Sequence, residues 1–210
     1  MSIRLLLDGH DFSDSAARLR QAVPSESNVS LLLTIDTPET VLVPRDLFLP
    51  GAEERYLQLC GINCPKDSSL ITSSPDAPVV AVMACDRELV QFIRENYGER
   101  VSFTSPLLET IDEATRSLQI FLTGNCAYVT YRKGEKLLYA EALPDPAPLS
   151  VLYYVRHLDQ LFGLSRSRIS IAGDHAEEVF QEVNHYYRRC EIVAAPCEPT
   201  ASNNTRGNTQ

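Results

Sequence analysis

Apolar positions recur along this chain with two periods, and the switching between them predicts its elements. The pattern is cleanest from residue 118 onward. Leu118, Ile120 and Leu122 fall on one face of a strand, and Thr123-Gly124-Asn125 reads as a turn. Residues 126–132 alternate, with Ala127, Val129 and Tyr131 on one side. Lys133-Gly134 makes a hairpin turn, because glycine supplies the positive φ such turns need, and residues 135–143 return as a third strand. Pro144-Asp145-Pro146-Ala147-Pro148 then breaks the sheet. Asp145 can cap the helix that follows, and proline fits its first turn. This helix spans residues 147–162, with Leu149, Leu152, Tyr153, Leu158, Leu161 and Phe162 at helical spacing, and Gly163 ends it. A short buried strand at 169–172, the pair Gly173-Asp174, a helix at 175–189 with Val179, Val183 and Tyr186 inward, and a last strand at 190–194 complete the unit. An antiparallel meander followed by strands that flank helices predicts parallel crossovers.

The first half repeats this order more roughly. Residues 3–7 form a strand and Asp8-Gly9-His10-Asp11 a turn. Residues 12–23 fit either a strand or a short helix. Residues 29–35 are a strand, 40–43 a short extended piece, and Pro44 opens a helix or loop reaching Cys60. The Pro-, Ser- and Asp-rich stretch up to Pro78 reads as connection. A buried strand at 79–84 follows, then a helix at 87–97 capped by Asp86, with Leu89, Val90, Phe92 and Ile93 apolar and Gly98 as its stop. A strand at 101–103 and a connecting helix at 107–114 lead to the second unit. The chain therefore reads as α/β, divided into residues 1–115, residues 116–194 and a tail at 195–210. That tail is so rich in Pro, Thr, Asn and Ser that it is expected to be disordered.

Composition narrows the function classes. The formal charge of -9 over 210 residues disfavours binding to a phosphate backbone, so no nucleic-acid partner is expected. Ser165-Arg166-Ser167-Arg168 is the densest basic spot and reads as a solvated loop rather than an anion site. No apolar run approaches the roughly 18 residues of a membrane span, and the N-terminus lacks a signal peptide's long apolar stretch, so a cytoplasmic location is expected. The six cysteines (Cys60, Cys64, Cys85, Cys126, Cys190 and Cys197) then read as reduced thiols. Cys60 and Cys64 have zinc-like spacing but no second pair, so no metal is assigned. His175, Glu178, Glu182 and His185 form one helical stripe, read as a solvated face because the second motif of a di-metal bundle is missing. His10 with Asp11, Ser13 or Ser15 reads as a local turn, since no Gly-x-Ser-x-Gly elbow exists. The tyrosines of the second half should mostly pack with their hydroxyls toward polar groups, and an exposed subset would suit a partner surface.

Several segments resemble a family of uncharacterised bacterial proteins known only as domain of unknown function 3822. They are Ser2-Ile3-Arg4-Leu5-Leu6-Leu7-Asp8-Gly9, Thr40-Val41-Leu42-Val43-Pro44-Arg45-Asp46-Leu47-Phe48, Leu152-Tyr153-Tyr154-Val155 and Ile169-Ser170-Ile171-Ala172-Gly173. The resemblance covers residues 2 to about 194, although residues 11–28 are shorter than it leads one to expect. It implies an actin-like ATPase-type fold of two ribonuclease H-like subdomains, each running strands, helix, strand, helix, strand, with the first trimmed. Proteins of that fold cradle phosphates between two strand-turn-strand loops that carry Asp beside Gly and Ser or Thr, and a third loop, on the adenosine side, ends a buried strand with two glycines. The corresponding positions here are Asp8 and Gly9, then Thr123 and Gly124, for the phosphate loops, and Gly173 and Asp174 for the adenosine-side loop. Each departs from the pattern: Gly9 follows Asp8 directly, the second loop has no carboxylate, and the third keeps one glycine with an acid beside it. The plain reading makes Gly9, Gly124 and Gly173 turn glycines in a vestigial cleft. No cofactor is assigned, and ATP with Mg is the one the layout would admit. A nuclease of the ribonuclease H type would use Asp8, but partner acids are not evident on neighbouring strands. The expected function is a non-catalytic binding or scaffolding module with a protein partner. The alternative is a weak ATP binder whose halves hinge with nucleotide.

Overall fold

The computed structural model describes residues 2–23, 29–112 and 114–195; the tail beyond Ala195 and its Cys197 lie outside them. The chain opens with strand β1 (Ser2–Asp8), helix α1 (Phe12–Ala22) and strand β2 (Ser30–Asp36). The ambiguous segment after Asp11 is thus a helix. The Asp11 side chain accepts the Asp14 N–H at 3.0 Å, which satisfies one of the donors a helix start leaves free. A helical crossover carries the chain back to the same end, so β1 and β2 are parallel, and their register places Asp8 beside Asp36.

Strand β3 (Thr40–Pro44), a 3-10 turn at Arg45–Leu47, helix α2 (Glu53–Leu59), strands β4 (Ser68–Thr72) and β5 (Val79–Asp86), helix α3 (Arg87–Tyr97) and strand β6 (Val101–Thr104) complete the first half. Two three-stranded sheets result, β1-β2-β6 all parallel and β3-β5-β4 antiparallel, joined by one parallel bridge between Ser73 and Phe103. Two expectations need correction. The stretch read as connection contains β4, whose Ser-Ser-Leu-Ile-Thr sequence buries only Ile71 and is held as a strand by pairing with β5. The connecting helix expected over 107–114 shrinks to a 3-10 turn at Pro106–Leu108. The first half therefore departs from a simple meander followed by two crossovers, because α1 is inserted after its first strand.

The second half follows the sequence closely. Strands β7 (Arg116–Leu122), β8 (Ala127–Lys133) and β9 (Lys136–Leu143) form an antiparallel meander. Helix α4 (Pro148–Phe162), strand β10 (Arg168–Gly173), helix α5 (Ala176–Asn184) and strand β11 (Cys190–Ile192) follow, with β10 parallel to both β7 and β11. The sheet order is β11-β10-β7-β8-β9. Helix α4 has two apolar stripes. Val151, Val155 and Leu158, spaced for one face, are buried, whereas Leu149, Tyr153 and Leu161, part of the apolar spacing read from the sequence, are 69%, 69% and 59% exposed. Helix α5 stops at Asn184 rather than 189, and Tyr186, expected inward, lies outside it and exposed. Val179 and Val183 pack against the sheet as expected.

A small shared core joins the first sheet to the last. Leu107, Phe121, Cys126, Tyr128 and Ala172 are buried there, with Leu6 and Leu42 packed against them. Large apolar side chains buried in this way each contribute about 1.5–3 kcal/mol, so β1, β3, β7, β8 and β10 are held against one another. No helix among the described residues is long and apolar enough to cross a membrane.

Candidate functional site

The expected cleft residues lie at the C-terminal ends of strands, where crossover sheets present loops to ligands. Asp8 ends β1, Thr123 and Gly124 follow β7, and Gly173 ends β10 with Asp174 next. The fold brings these ends together, and it bonds the Asp8 carboxylate and the Thr123 hydroxyl to the protein itself. Asp8 Oδ1 accepts the N–H groups of His10 (2.8 Å) and Asp11 (3.2 Å), and its Oδ2 accepts the Asn125 side-chain amide at 2.7 Å. Asn125 belongs to the β7–β8 turn, so this bond ties one loop to the other.

The centre of the site is a residue outside the expected set. Asp36, the last residue of β2, is buried. Its Oδ1 accepts the Tyr128 hydroxyl at 2.7 Å and the Thr123 hydroxyl at 3.0 Å. The Tyr128 oxygen in turn accepts the buried Thr37 N–H at 2.7 Å. Burial raises the carboxyl of Asp36 above the usual Asp range. The bonds from Tyr128 and Thr123 oppose that rise, and the charges of Asp8 and Asp174 add to it. Burial and the Asp36 charge likewise push the Tyr128 hydroxyl well up, and burial lifts the Cys126 thiol to about 12. Beside this cluster, His10 Nε2 lies 2.9 Å from Thr37 Oγ1 and 2.7 Å from Glu39 Oε2, so its partners come from the β2–β3 turn and not from Asp11, Ser13 or Ser15.

The glycines are explained by backbone packing. A Cβ on Gly173 would stand 2.0 Å from the Leu122 carbonyl oxygen, and its φ of +95° is one that other residues rarely adopt. A Cβ on Gly9 would press within 3.1 Å of Asp36 and Ile35, because the Gly9 N–H donates to the Asp36 carbonyl. Gly124 meets nothing within 4 Å. Gly9 and Gly173 are small so that strand ends can touch.

These residues do not fit a magnesium nucleotide. A phosphate cradle needs free N–H or hydroxyl donors and a cation. Here the Thr123 hydroxyl donates to Asp36, and the carboxylates Asp8, Asp36, Glu39 and Asp174 supply only negative charge. Among the described residues no group of three His, Cys, Asp or Glu side chains is placed to hold a metal. A groove of about 560 Å³ does run past Thr123, Gly173 and Asp174. The cation on its wall, Arg18, is paired with Asp14 at 2.7 Å.

Sequence reasoning located the loops and missed the atom between them. Asp36 carried a usable signal: like Asp8, it is an acid closing an apolar strand. It is also the neighbouring-strand acid that the nuclease reading found absent. Nothing local marked Tyr128 or Asn125, which act across 92 and 117 positions of sequence.

Residues 25–190 match the family model described as "Protein of unknown function (DUF3822)". The chain belongs to this family. Among solved structures it is similar to a protein of Bacteroides thetaiotaomicron with an actin-like ATPase fold and unknown function, at 13% identity, covering 86% of this chain and 75% of that one with a TM-score of 0.68. It also matches a structure of the PilM–PilN type IV pilus biogenesis complex at 12% identity, covering 88% and 77%, with a TM-score of 0.48. No functionally curated protein matches the sequence. The family member described here thus has an α/β chain of the actin-like ATPase fold.

Proposed function

We propose that this family member is a non-catalytic protein-binding module built from two lobes, residues 1–115 and 116–194, on a vestigial actin-like cleft. One observation carries the non-catalytic part: the buried Thr123–Asp36–Tyr128 cluster occupies the seam where a phosphate would need free donors. Asn125–Asp8 adds a second tie between the same loops, which opposes hinging.

The binding surface we assign is a groove of about 690 Å³ between two sheet edges, β3 and β9. Edge strands carry backbone donors and acceptors that an extended segment can pair with. The groove is lined by apolar residues such as Leu42, Ile62 and Leu137, and by two carboxylates, Glu39 and Glu141, with no Lys or Arg. Its occupant is therefore an extended protein segment with alternating apolar side chains and at least one Lys or Arg.

Two measurements test this reading. Thermal melts with and without millimolar Mg-ATP should coincide, whereas a ligand at 100 times its dissociation constant would add about 2.7 kcal/mol. Selection from a random peptide library should return an apolar-basic consensus that Glu141→Lys abolishes. A melt shifted by Mg-ATP would overturn the non-catalytic cleft. An acidic consensus, or one indifferent to Glu141→Lys, would overturn the groove.

A further inference from the structure

Five arginines that are scattered in sequence line one surface basin of about 600 Å³: Arg116, Arg166, Arg168, Arg188 and Arg189. The topology collects them. Arg116 begins β7 and Arg168 begins β10, its parallel neighbour, while Arg166 ends the 3-10 turn just before β10. Arg188 and Arg189 immediately precede β11, which is parallel to β10. Parallel strands start at the same end of a sheet, so their leading residues meet there. That end lies opposite the cleft, about 20 Å away along the seven residues of β7 at the usual rise of a strand.

Such a gathering needs a reason in a chain with 28 acidic and 19 basic residues, because unshielded like charges repel. Internal compensation is partial. Arg168 pairs with Glu191 at 3.2 Å and Asp112 at 3.5 Å, and Arg189 donates to the Arg166 carbonyl at 3.2 Å. Among the described residues the guanidinium groups of Arg116, Arg166 and Arg188 have no hydrogen-bond or ion-pair partner. The same end of the sheet also holds buried polar atoms without partners. Arg132 Nε is buried without a partner, as is Ser117 Oγ, at the paired position of the adjacent strand.

The geometry points to a binding site for a ligand carrying several clustered phosphate groups. A guanidinium stays charged and offers a planar fork of N–H donors that matches phosphate oxygens two at a time. Three free forks around one basin suit a compact ligand of high charge density, and the volume lies within the range of small-molecule sites. A long nucleic acid would run off the basin onto an acidic body. The site stands independently of the proposed peptide groove. Residues 165–168 read as a solvated loop in the sequence, because the three other arginines arrive only through β7 and β11.

Titration calorimetry of the full chain with inorganic tripolyphosphate tests the site. Binding at one site per chain is expected, weakening as salt rises, and Arg166→Gln with Arg188→Gln should weaken it at least tenfold without shifting the melting temperature. Arg55→Gln, on the distant α2, should leave it unchanged. Sedimentation with phosphatidic acid vesicles, against phosphatidylcholine alone, separates the sources of the phosphate. Vesicle binding lost in the double variant assigns a lipid headgroup, and tripolyphosphate binding without it assigns a soluble ligand. Silence in both assays, or binding undiminished in the double variant, overturns the proposal.

Discussion

Tyr128→Phe removes one oxygen from the centre of the seam and should be among the more damaging conservative changes in this protein. The ring is almost fully buried and a phenylalanine fills the same space, so no cavity opens. What is lost is a 2.7 Å hydrogen bond to the buried Asp36 carboxylate and the acceptor for the Thr37 N–H, also fully buried. A hydrogen bond to a charged group is worth about 1.5–3 kcal/mol, and a buried donor left without a partner costs about 1–3 kcal/mol. Since the two losses are coupled, about 3 kcal/mol is a conservative total, equal to a fall in melting temperature of about 6–12 °C for a chain of this size. Tyr131→Phe is the matched control: its hydroxyl meets only the neutral Ser167 hydroxyl at 3.3 Å, so about 1 kcal/mol is expected. Urea denaturation of both variants, followed by circular dichroism, makes the comparison. A Tyr128→Phe cost no larger than that of Tyr131→Phe would show that the seam is not held by this bond.

The charge on Asp36 sets a pH dependence with a definite sign. Its folded-state pKa is raised above the unfolded value near 3.8, so its contribution to stability is fully present below that value and is lost as pH rises through the folded one. Asp36→Asn, which keeps an acceptor oxygen for Tyr128 and Thr123, should therefore melt higher than the parent at pH 7, and the gap should close as pH falls toward 4. A gap that widens on acidification would contradict the assignment. Gly173→Ala should cost on the order of 4 kcal/mol or more, since strain at positive φ adds to a Cβ driven into the Leu122 carbonyl. Gly124→Ala, in open space, should stay within about 0.5 kcal/mol in the same denaturation assay.

How much of this was legible in the sequence follows from how locally each feature is encoded. The second half could be read almost element by element, because strand alternation, the Gly134 turn and the Gly163 stop are local signals. In the first half, β4 went unread: its residues are mostly polar, and only pairing with β5 makes it a strand. Helix α4 shows a finer limit, because the apolar spacing read from Leu149 to Phe162 mixes residues of two faces and does not say which one the sheet covers.

By itself, then, the sequence determined the α/β class, the layout of β7 to β11 and the position of the loops that end at Asp8, Thr123 and Gly173. Local propensity and hydrophobic period suffice for such features. Tertiary structure alone decided what meets at those loops. It joined Asp36 to Tyr128 across 92 residues, and it set five arginines around one basin at the far end of the same sheet. Both outcomes arise from parallel strands, whose crossover connections bring distant segments into register, and no short stretch of sequence records that register.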